Sequence, residues 1–251
     1  MPLEAPLPPV AERVATLNAA TRHHGAISVL EKAVTDPGVG RLALVSSFGA
    51  ESVVLLHMIS VIDRTTPVLF IDTEMLFDET LAYQAEVAEK LGLTDIRRIG
   101  PARADLLAQD AEGVLHVHDP DACCTLRKSG PLQTALDGFD AWITGRKRYQ
   151  GGQRATLEFF EEEPETGRIK INPLARWARE DTAEYIAQNR LPRHPLVAKG
   201  YPSIGCAPCT SPVGAGEDER AGRWRDTDKE ECGIHFENGK IVRGPKRRAA
   251  A

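Results

Sequence analysis

The sequence predicts an α/β protein whose parallel sheet is covered by helices on both faces. Two observations support this class. Short apolar segments alternate with longer helical segments between residues 41 and 188, and polar or glycine-containing loops follow the apolar segments. Such alternation is typical of parallel sheets, because a helix must connect each strand to the next. Ligands bind these sheets at the carboxyl ends of the strands, so the loops there are the predicted site.

The predicted elements follow one another in a regular order. One or two amphipathic helices cover residues 10–34, behind a Pro-rich lead-in. The predicted strands are 41–46, 67–71, 95–99, 141–144 and an edge strand at 168–171. The further helices are 52–62, 77–91, 102–109, one segment after the cysteine pair at 123–124, and 179–188. We expect an N-terminal region (1–36), an α/β domain with the site (37–212) and a mobile C-terminal tail (213–251), where periodicity fades.

Composition argues against several classes of function. Lys and Arg number 31 against 36 Asp and Glu, a net charge of −5, which does not suit a general nucleic-acid binder. No apolar run reaches membrane-spanning length and no basic, apolar leader is apparent, so we expect a cytoplasmic protein. In a reducing compartment, five cysteines favour metal binding or catalysis over disulfides. Local groups of cations in this acidic chain predict a small anionic ligand.

The loop after the first predicted strand reads Ser47-Phe48-Gly49-Ala50-Glu51-Ser52 and opens a helix. Backbone N–H groups and the helix dipole hold phosphates at such places. The letters fit the S-x-G-x-[DE]-S form of PP-loop nucleotide-binding proteins, although Phe48 stands where a second glycine is usual. A structural turn capped by Ser52 explains them about equally well. Asp72 and Thr73 end the next strand, where they would flank an adenosine or form a capped turn.

Four of the five cysteines fall into two pairs, Cys123-Cys124 and the C-x-x-C pair Cys206 and Cys209. This spacing predicts four thiolate ligands of one metal centre, either a structural zinc or an iron–sulfur cluster. Adjacent cysteines chelate one ion awkwardly and reach more easily across a cube of iron and sulfide. The alternative is four buried, inert thiols. Lys128 follows Cys124 by four residues and shares its helix face, as a solvated lysine or as a bridge to an anionic substrate.

The fifth cysteine, Cys232, stands outside this pattern and is a candidate nucleophile. His235 follows it closely enough to stabilise a thiolate or contact an anion. Two preceding glutamates would raise the pKa of the Cys232 thiol unless arginines offset them. The alternative is a chance thiol in a mobile tail, and a lone histidine is more often structural than catalytic.

Several motifs together carry a resemblance to one family. They are the PP-loop, Phe70-Ile71-Asp72-Thr73, Cys123-Cys124, the segment 201–210 (YPSIGCAPCT), Gly222-Arg223-Trp224 and Glu231-Cys232-Gly233-Ile234-His235. In this order, between about residues 40 and 236, they resemble the assimilatory adenylylsulfate (APS) reductases. The cysteine set and the Cys-Gly-Ile-His element are highly specific.

The resemblance implies an adenine nucleotide α-hydrolase-like fold, a [4Fe-4S] cluster on the four paired cysteines, and reduction of APS to sulfite and AMP by thioredoxin or glutaredoxin. Family members without the cysteine pairs mostly use the 3′-phosphorylated substrate PAPS, so the pairs point to APS. The family's nucleophile matches Cys232 and its cluster-side cation matches Lys128. The implied substrate contacts are Gly145, Arg146, Arg148, Gln150, Arg220 and Arg223. Two departures are Glu74 and Asp78, which stand where the family has Gly and Pro.

Other functions remain open from the sequence. A PAPS reductase would differ in its substrate. A PP-loop ATP pyrophosphatase or sulfur transferase would consume ATP, but the missing second glycine and the acidic charge weigh against it. A sensing module would bind a ligand without turnover, and a zinc-binding structural protein would be colourless. The sequence predicts no membrane or nucleic-acid partner and leaves a homo-oligomer open.

Overall fold

The computed structural model describes residues 7–225, 229, 236–237 and 240–241. Its strands are β1 (Leu42–Ser46), β2 (Val68–Ile71), β3 (Ile96–Ile99), β4 (Ala141–Ile143), β5 (Phe160–Glu163), β6 (Arg168–Ile171), β7 (Phe236–Glu237) and β8 (Lys240–Ile241). Its α-helices are α1 (Val10–Thr21), α2 (Ala26–Thr35), α3 (Ser52–Ile62), α4 (Asp78–Leu91), α5 (Arg103–Gln109), α6 (Leu115–His118), α7 (Pro120–Cys124), α8 (Gly130–Ala135) and α9 (Arg179–Gln188). A π-helical turn, Thr125–Ser129, joins α7 to α8. In the described residues, no helix is long and apolar enough to cross a membrane.

The main sheet has the strand order β3-β2-β1-β4-β6-β5. Five strands are parallel, and β5 alone runs antiparallel, against β6. Strand β1 pairs with β2 on one side and with β4 on the other, so the winding of the sheet reverses at β1. A crevice opens at such a switch point, beyond the carboxyl ends of the two strands. The loops after β1 and β4 therefore meet there.

Helices cover both faces of this sheet. Successive strand residues point to opposite faces, and the described core divides accordingly into two clusters. The larger includes Leu44 and Phe70 and receives side chains from α1 to α4 and α9. The smaller includes Leu69 and Trp142 and packs against Leu132 of α8. The predicted fold class, a parallel sheet with helices on both faces, is confirmed.

The edge of the sheet differs from the prediction. Residues 168–171 were expected at an edge, but β6 is paired on both sides, by β4 and by β5. The hydrophobic pattern of the sequence did not predict β5, because three of its four residues are glutamates. This strand forms nevertheless, because Phe160 is buried in the core and Glu163 makes an ion pair of 3.2 Å with Lys170 across the pair of strands.

Helices α1 and α2 belong to the same core and not to a separate N-terminal region. The side chain of Asn18 in α1 donates to the carbonyl of Phe160 at 2.8 Å and accepts from its N–H at 3.0 Å. Helix α2 buries Val29 and Leu30 completely. These two helices therefore pack with the α/β domain across the predicted boundary at residue 36.

The first part of the predicted C-terminal tail, residues 213–225, packs against the preceding segment. Val213 donates its N–H to the carbonyl of Gly200 at 2.9 Å, and Trp224 donates its N–H to the carbonyl of Cys209 at 3.1 Å. Gly222 lies so close to Ser211 that a Cβ there would collide with the Ser211 carbonyl oxygen. The glycines that suggested mobility instead permit close backbone contact. Most of the chain after residue 225 lies outside the described residues.

Candidate active site

The loop after β1 contains a residue in left-handed backbone conformation. Phe48 has φ of +49°, the conformation that a glycine adopts readily and that costs other residues roughly 1–2 kcal/mol. Its ring is fully buried and meets that of Phe70 edge to face, with centroids 5.1 Å apart. Burial of the ring offsets the backbone cost, which explains how phenylalanine replaces the expected glycine. The Phe48 side chain therefore belongs to the core and does not line the predicted site.

A cavity of about 230 Å³ lies at the switch point, between the loops that follow β1 and β4. Most of the residues predicted to bind substrate line it: Ser47, Gly49, Ala50, Glu51, Ser52, Gly145, Gln150, Arg220 and Arg223. Sequence reasoning missed several others: Lys147, Arg154, Pro202, Ser203, Ile204 and Trp224. The N-terminus of α3 faces this cavity together with four cations, so the cavity suits an anionic ligand.

The cation beside the PP-loop is Lys147, and not the predicted Arg146 or Arg148. Lys147 is only 2% exposed, and its ammonium group donates a hydrogen bond of 2.8 Å to the carboxylate of Glu51. Arg146 instead binds Glu161 at 2.6 Å, and Arg148 donates to the carbonyl of Leu157 at 2.7 Å. Lys147 has extended backbone (φ −136°, ψ 145°), so its side chain points away from those of its two neighbours. Neither arginine is among the residues that line the cavity.

A hydrogen-bond network holds the PP-loop carboxylate. Besides the ammonium of Lys147, Glu51 accepts a bond from the hydroxyl of Tyr149 at 3.2 Å. Burial, and then the charge of Glu51, raise the pKa of Tyr149, so this hydroxyl stays protonated and keeps donating. Arg154 and Lys147 both contact the amide oxygen of Gln150, Lys147 through its backbone N–H. Lys147 and Arg154 are thereby held in defined positions.

Asp72 and Thr73 do not line the cavity, contrary to prediction. Asp72 is 2% exposed, pairs with Arg98, and accepts the N–H of Glu74 at 2.9 Å. The hydroxyl of Thr73 lies 3.2 Å from the sulfur of Cys206. The loop after β2 therefore contacts the cysteines and not the cavity where an adenosine contact was expected.

Glu74, one of the two departures from the family pattern, has φ of +57° and is exposed. This is the left-handed conformation that glycine adopts readily. We expect Glu74→Gly to raise the free energy of unfolding by about 0.5–1 kcal/mol, because relief of backbone strain exceeds the entropy that glycine adds to the unfolded chain. Urea denaturation measures this change. The exposed helical control Glu89→Gly should lower stability by about 1 kcal/mol, and a decrease of equal size at Glu74 would contradict the interpretation.

The four paired cysteines are free thiols, and the two segments that carry them both contact the loop after β2. Cys123 and Cys124 are buried in α7, which Asp119 caps by accepting the N–H groups of Asp121 and Ala122. Cys206 and Cys209 flank a tight turn, which is held to the loop after β2 by a 2.7 Å bond from the Ala207 N–H to the Met75 carbonyl. The cysteine pair thus ends α7, which was not predicted, and the predicted helical segment after the pair is confirmed by the π-helical turn and α8.

The thiols influence one another electrostatically. Burial, and then the neighbouring Cys124, raise the pKa of Cys123 to about 12, with smaller effects from Cys206 and Cys209. Burial, Cys206 and Cys124 raise the pKa of Cys209 in the same way. Burial and the neighbouring thiols therefore oppose deprotonation of Cys123 and Cys209 unless a cation compensates. Within the described residues, no group of three or more His, Cys, Asp or Glu side chains is arranged to hold a metal ion.

The π-helical turn after Cys124 buries two cations beside the thiols. Arg127 donates to Asp110 at 2.7 and 3.1 Å and to the Thr73 carbonyl at 3.1 Å, which fastens the turn to the end of β2. Lys128 is 6% exposed and near enough to lower the pKa of Cys209, as Arg223 also does. Such turns occur frequently at functional sites. Lys128 therefore lies at the cysteines, as the i+4 spacing predicted.

Arg223 connects the cysteines to the cavity. Its backbone forms an antiparallel β-bridge with Thr210, just after the C-x-x-C turn. Its guanidinium carbon lies 4.4 Å from the centre of the Trp224 ring. A Cβ on Gly205 would lie 2.5 Å from the guanidinium carbon. Because Arg223 also lines the cavity, the two sites share this side chain. The predicted catalytic residues Cys232 and His235 lie outside the described residues.

Fold and cavity together define a class: an α/β protein of PP-loop type, with an anion-binding loop at the switch point of a parallel sheet. The family model of the phosphoadenosine phosphosulfate reductase domain matches residues 41–212. This match covers more than half of the chain, so the chain belongs to the phosphoadenosine phosphosulfate reductase family.

Individual relatives carry two related names. A protein named adenosine 5′-phosphosulfate reductase, from Mesorhizobium japonicum, is 48% identical over 90% of this chain and 89% of its own length. A phosphoadenosine 5′-phosphosulfate reductase from Gloeobacter violaceus is 38% identical over 78% of this chain and 82% of its own. The crystal structure of a phosphoadenylyl-sulfate (PAPS) reductase from Candida auris, in a phosphate complex, matches with a TM-score of 0.67 and 29% identity. The match covers 80% of this chain and 97% of the Candida auris chain.

Proposed function

We propose that the chain reduces adenosine 5′-phosphosulfate to sulfite and AMP in assimilatory sulfate reduction. One observation carries this proposal: Arg223 lines the cavity beside the PP-loop and also lies against the cysteine-containing turn. A sulfated nucleotide held there would place its sulfate group toward the cysteines. The 48% identical relative named for the same substrate supports this choice of nucleotide.

The cations of the cavity would neutralise the phosphosulfate. The loop from Ser47 to Ser52 offers backbone N–H groups and the positive end of the α3 dipole to the phosphate. Lys147 and Arg154 reach the cavity from one side, and Arg220 and Arg223 from the other. Guanidinium groups bind phosphate and sulfate oxygens in pairs, which orients the ligand as well as holding it.

We assign a [4Fe-4S] cluster to Cys123, Cys124, Cys206 and Cys209. The side chains of the described residues are not arranged around a metal ion, but the donor set fits this group by type. Four cysteines supply the soft thiolate ligands that such clusters take, and a metal centre would compensate the deprotonation that burial of Cys123 and Cys209 opposes. When bound, the cluster supplies a compact, net negative charge without needing to change its redox state. Lys128 would then be held between this charge and the anionic substrate, where it orients the sulfate group.

Covalent catalysis by Cys232 completes the proposal. The Cys232 thiolate attacks the sulfur of the substrate, the bond from sulfur to the phosphate oxygen breaks, and AMP leaves with the electron pair. A thiolate of thioredoxin, or of glutaredoxin, next attacks the Cys232 sulfur and releases sulfite. A second reductant thiol then displaces Cys232, so the reductant dithiol is oxidised by two electrons as the sulfur is reduced by two. His235 would stabilise the thiolate. A thioredoxin-dependent reaction suits the cytoplasm.

Turnover of competing substrates tests this function. We expect the cluster-loaded protein with thioredoxin to form AMP and sulfite from APS at least about tenfold faster, in kcat/KM, than from PAPS. ATP with a tRNA substrate should give no product. Faster turnover of PAPS than of APS would mean that the protein is a PAPS reductase. Consumption of ATP would mean that it is an ATP pyrophosphatase or sulfur transferase instead of a reductase.

A further inference from the structure

Lys229 reaches back from the C-terminal segment to the helix that carries the cysteine pair. Its ammonium donates to the carboxylate of Asp121 at 2.6 Å and to the carbonyl of Pro120 at 2.9 Å. Both acceptors lie in the first turn of α7, more than 100 residues earlier in the chain. The interaction therefore joins the end of the chain to the cysteine centre.

The surroundings of Lys229 distinguish this contact from an ordinary surface ion pair. Its side chain is only 8% exposed, and the ammonium lies 5.9 Å from the centre of the Trp224 ring. Exposed ion pairs contribute little to stability, whereas charge-assisted hydrogen bonds to a buried ammonium fix its position.

We propose that Lys229 is a positioning residue that fastens the segment leading to Cys232 onto α7. The inference rests on the proposed function, in which Cys232 is the nucleophile. Cys232 follows Lys229 by three positions, so covalent geometry limits the distance between their Cα atoms to about 11 Å. One helix thereby supplies two cysteines of the centre and anchors the segment that carries the reacting thiol.

Two measurements on the cluster-loaded protein test this role. Under single turnover with saturating APS, Lys229→Met should slow S-sulfonation of Cys232 about tenfold, with less than a twofold change in the APS concentration at half-maximal rate. Without substrate, the rate at which iodoacetamide alkylates Cys232, read by mass spectrometry, should rise several-fold. Lys229→Arg should restore both values to within about threefold, because a guanidinium can also pair with Asp121.

Two further variants serve as partner and control. Asp121→Asn should resemble Lys229→Met, and the double variant should be no worse than either single one, because both remove the same contact. Lys199→Met breaks a bond of 2.8 Å to Glu79, but that lysine is 61% exposed and is not among the residues that line the cavity, so both rates should stay unchanged. Unaltered S-sulfonation and alkylation in Lys229→Met, or loss of the cluster in that variant, would overturn the proposal. If the unsubstituted protein forms no adduct, the proposed function fails. The alkylation rates still test whether Lys229 fastens the segment leading to Cys232 onto α7.

Discussion

Cys232→Ser is expected to abolish reduction of APS while nucleotide binding remains. A serine hydroxyl is almost fully protonated at neutral pH, and an oxygen adduct cannot be resolved by a thiol of the reductant. Sulfite release should therefore fall by roughly 10⁴-fold or more, as when a covalent nucleophile is removed from other enzymes. The cavity cations Lys147, Arg154 and Arg220 remain in place, so the affinity for AMP should change less than threefold.

The measurement combines a sulfite assay with calorimetric titration of AMP. Absorbance of the cluster provides the control. The four assigned ligands do not include Cys232, so the variant should still bind the cluster. Retained turnover in Cys232→Ser would remove the nucleophile from the mechanism. Loss of AMP binding or of the cluster would mean that the substitution disturbs the fold.

Gly205→Ala is expected to reduce kcat/KM for APS by about 10 to 100-fold with little loss of stability. The added Cβ would lie 2.5 Å from the guanidinium carbon of Arg223, so that side chain must move. Arg223 is long and flexible, and its displacement costs the fold little. The same displacement removes charge-assisted hydrogen bonds to the substrate, each contributing about 1.5–3 kcal/mol.

Gly25→Ala is a matched control for this variant. A Cβ on Gly25 would meet no atom within 4 Å, and its φ of −79° suits alanine. Activity should therefore equal that of the unsubstituted protein. Thermal denaturation of both variants separates stability from binding, and unchanged kcat/KM in Gly205→Ala would show that Arg223 does not contact the substrate.

The order of strands and helices could be predicted well, because each strand and helix shows its own periodicity and breakers. Helices α3 and α9 begin and end where the pattern placed them. The PP-loop was also predictable, because its residues are consecutive and follow a strand. Strand β5 was not, because its burial depends on pairing with β6 and on Asn18 of α1, which lies 142 residues away.

Side-chain direction explains the errors at the site. Residue type could not distinguish Lys147 from Arg146 and Arg148, since only the backbone conformation decides which of three successive cations faces the cavity. Thr73 lies beside Cys206 only because the fold brings together residues 133 positions apart. Long-range contacts of this kind leave no local pattern in the sequence. The cysteine pairs were predictable as a set, since their spacing is itself the signal.

The most direct test of the account is the intact mass of the oxygen-free, cluster-loaded protein after mixing with APS or PAPS in the absence of reductant. The account predicts a gain of one SO₃ group with APS, located on Cys232 by peptide mapping and absent from Cys232→Ser. Thioredoxin should remove the group and release one sulfite for each adduct. A folded, cluster-loaded protein that gains no mass with either nucleotide, or that gains it on another residue, would contradict the account.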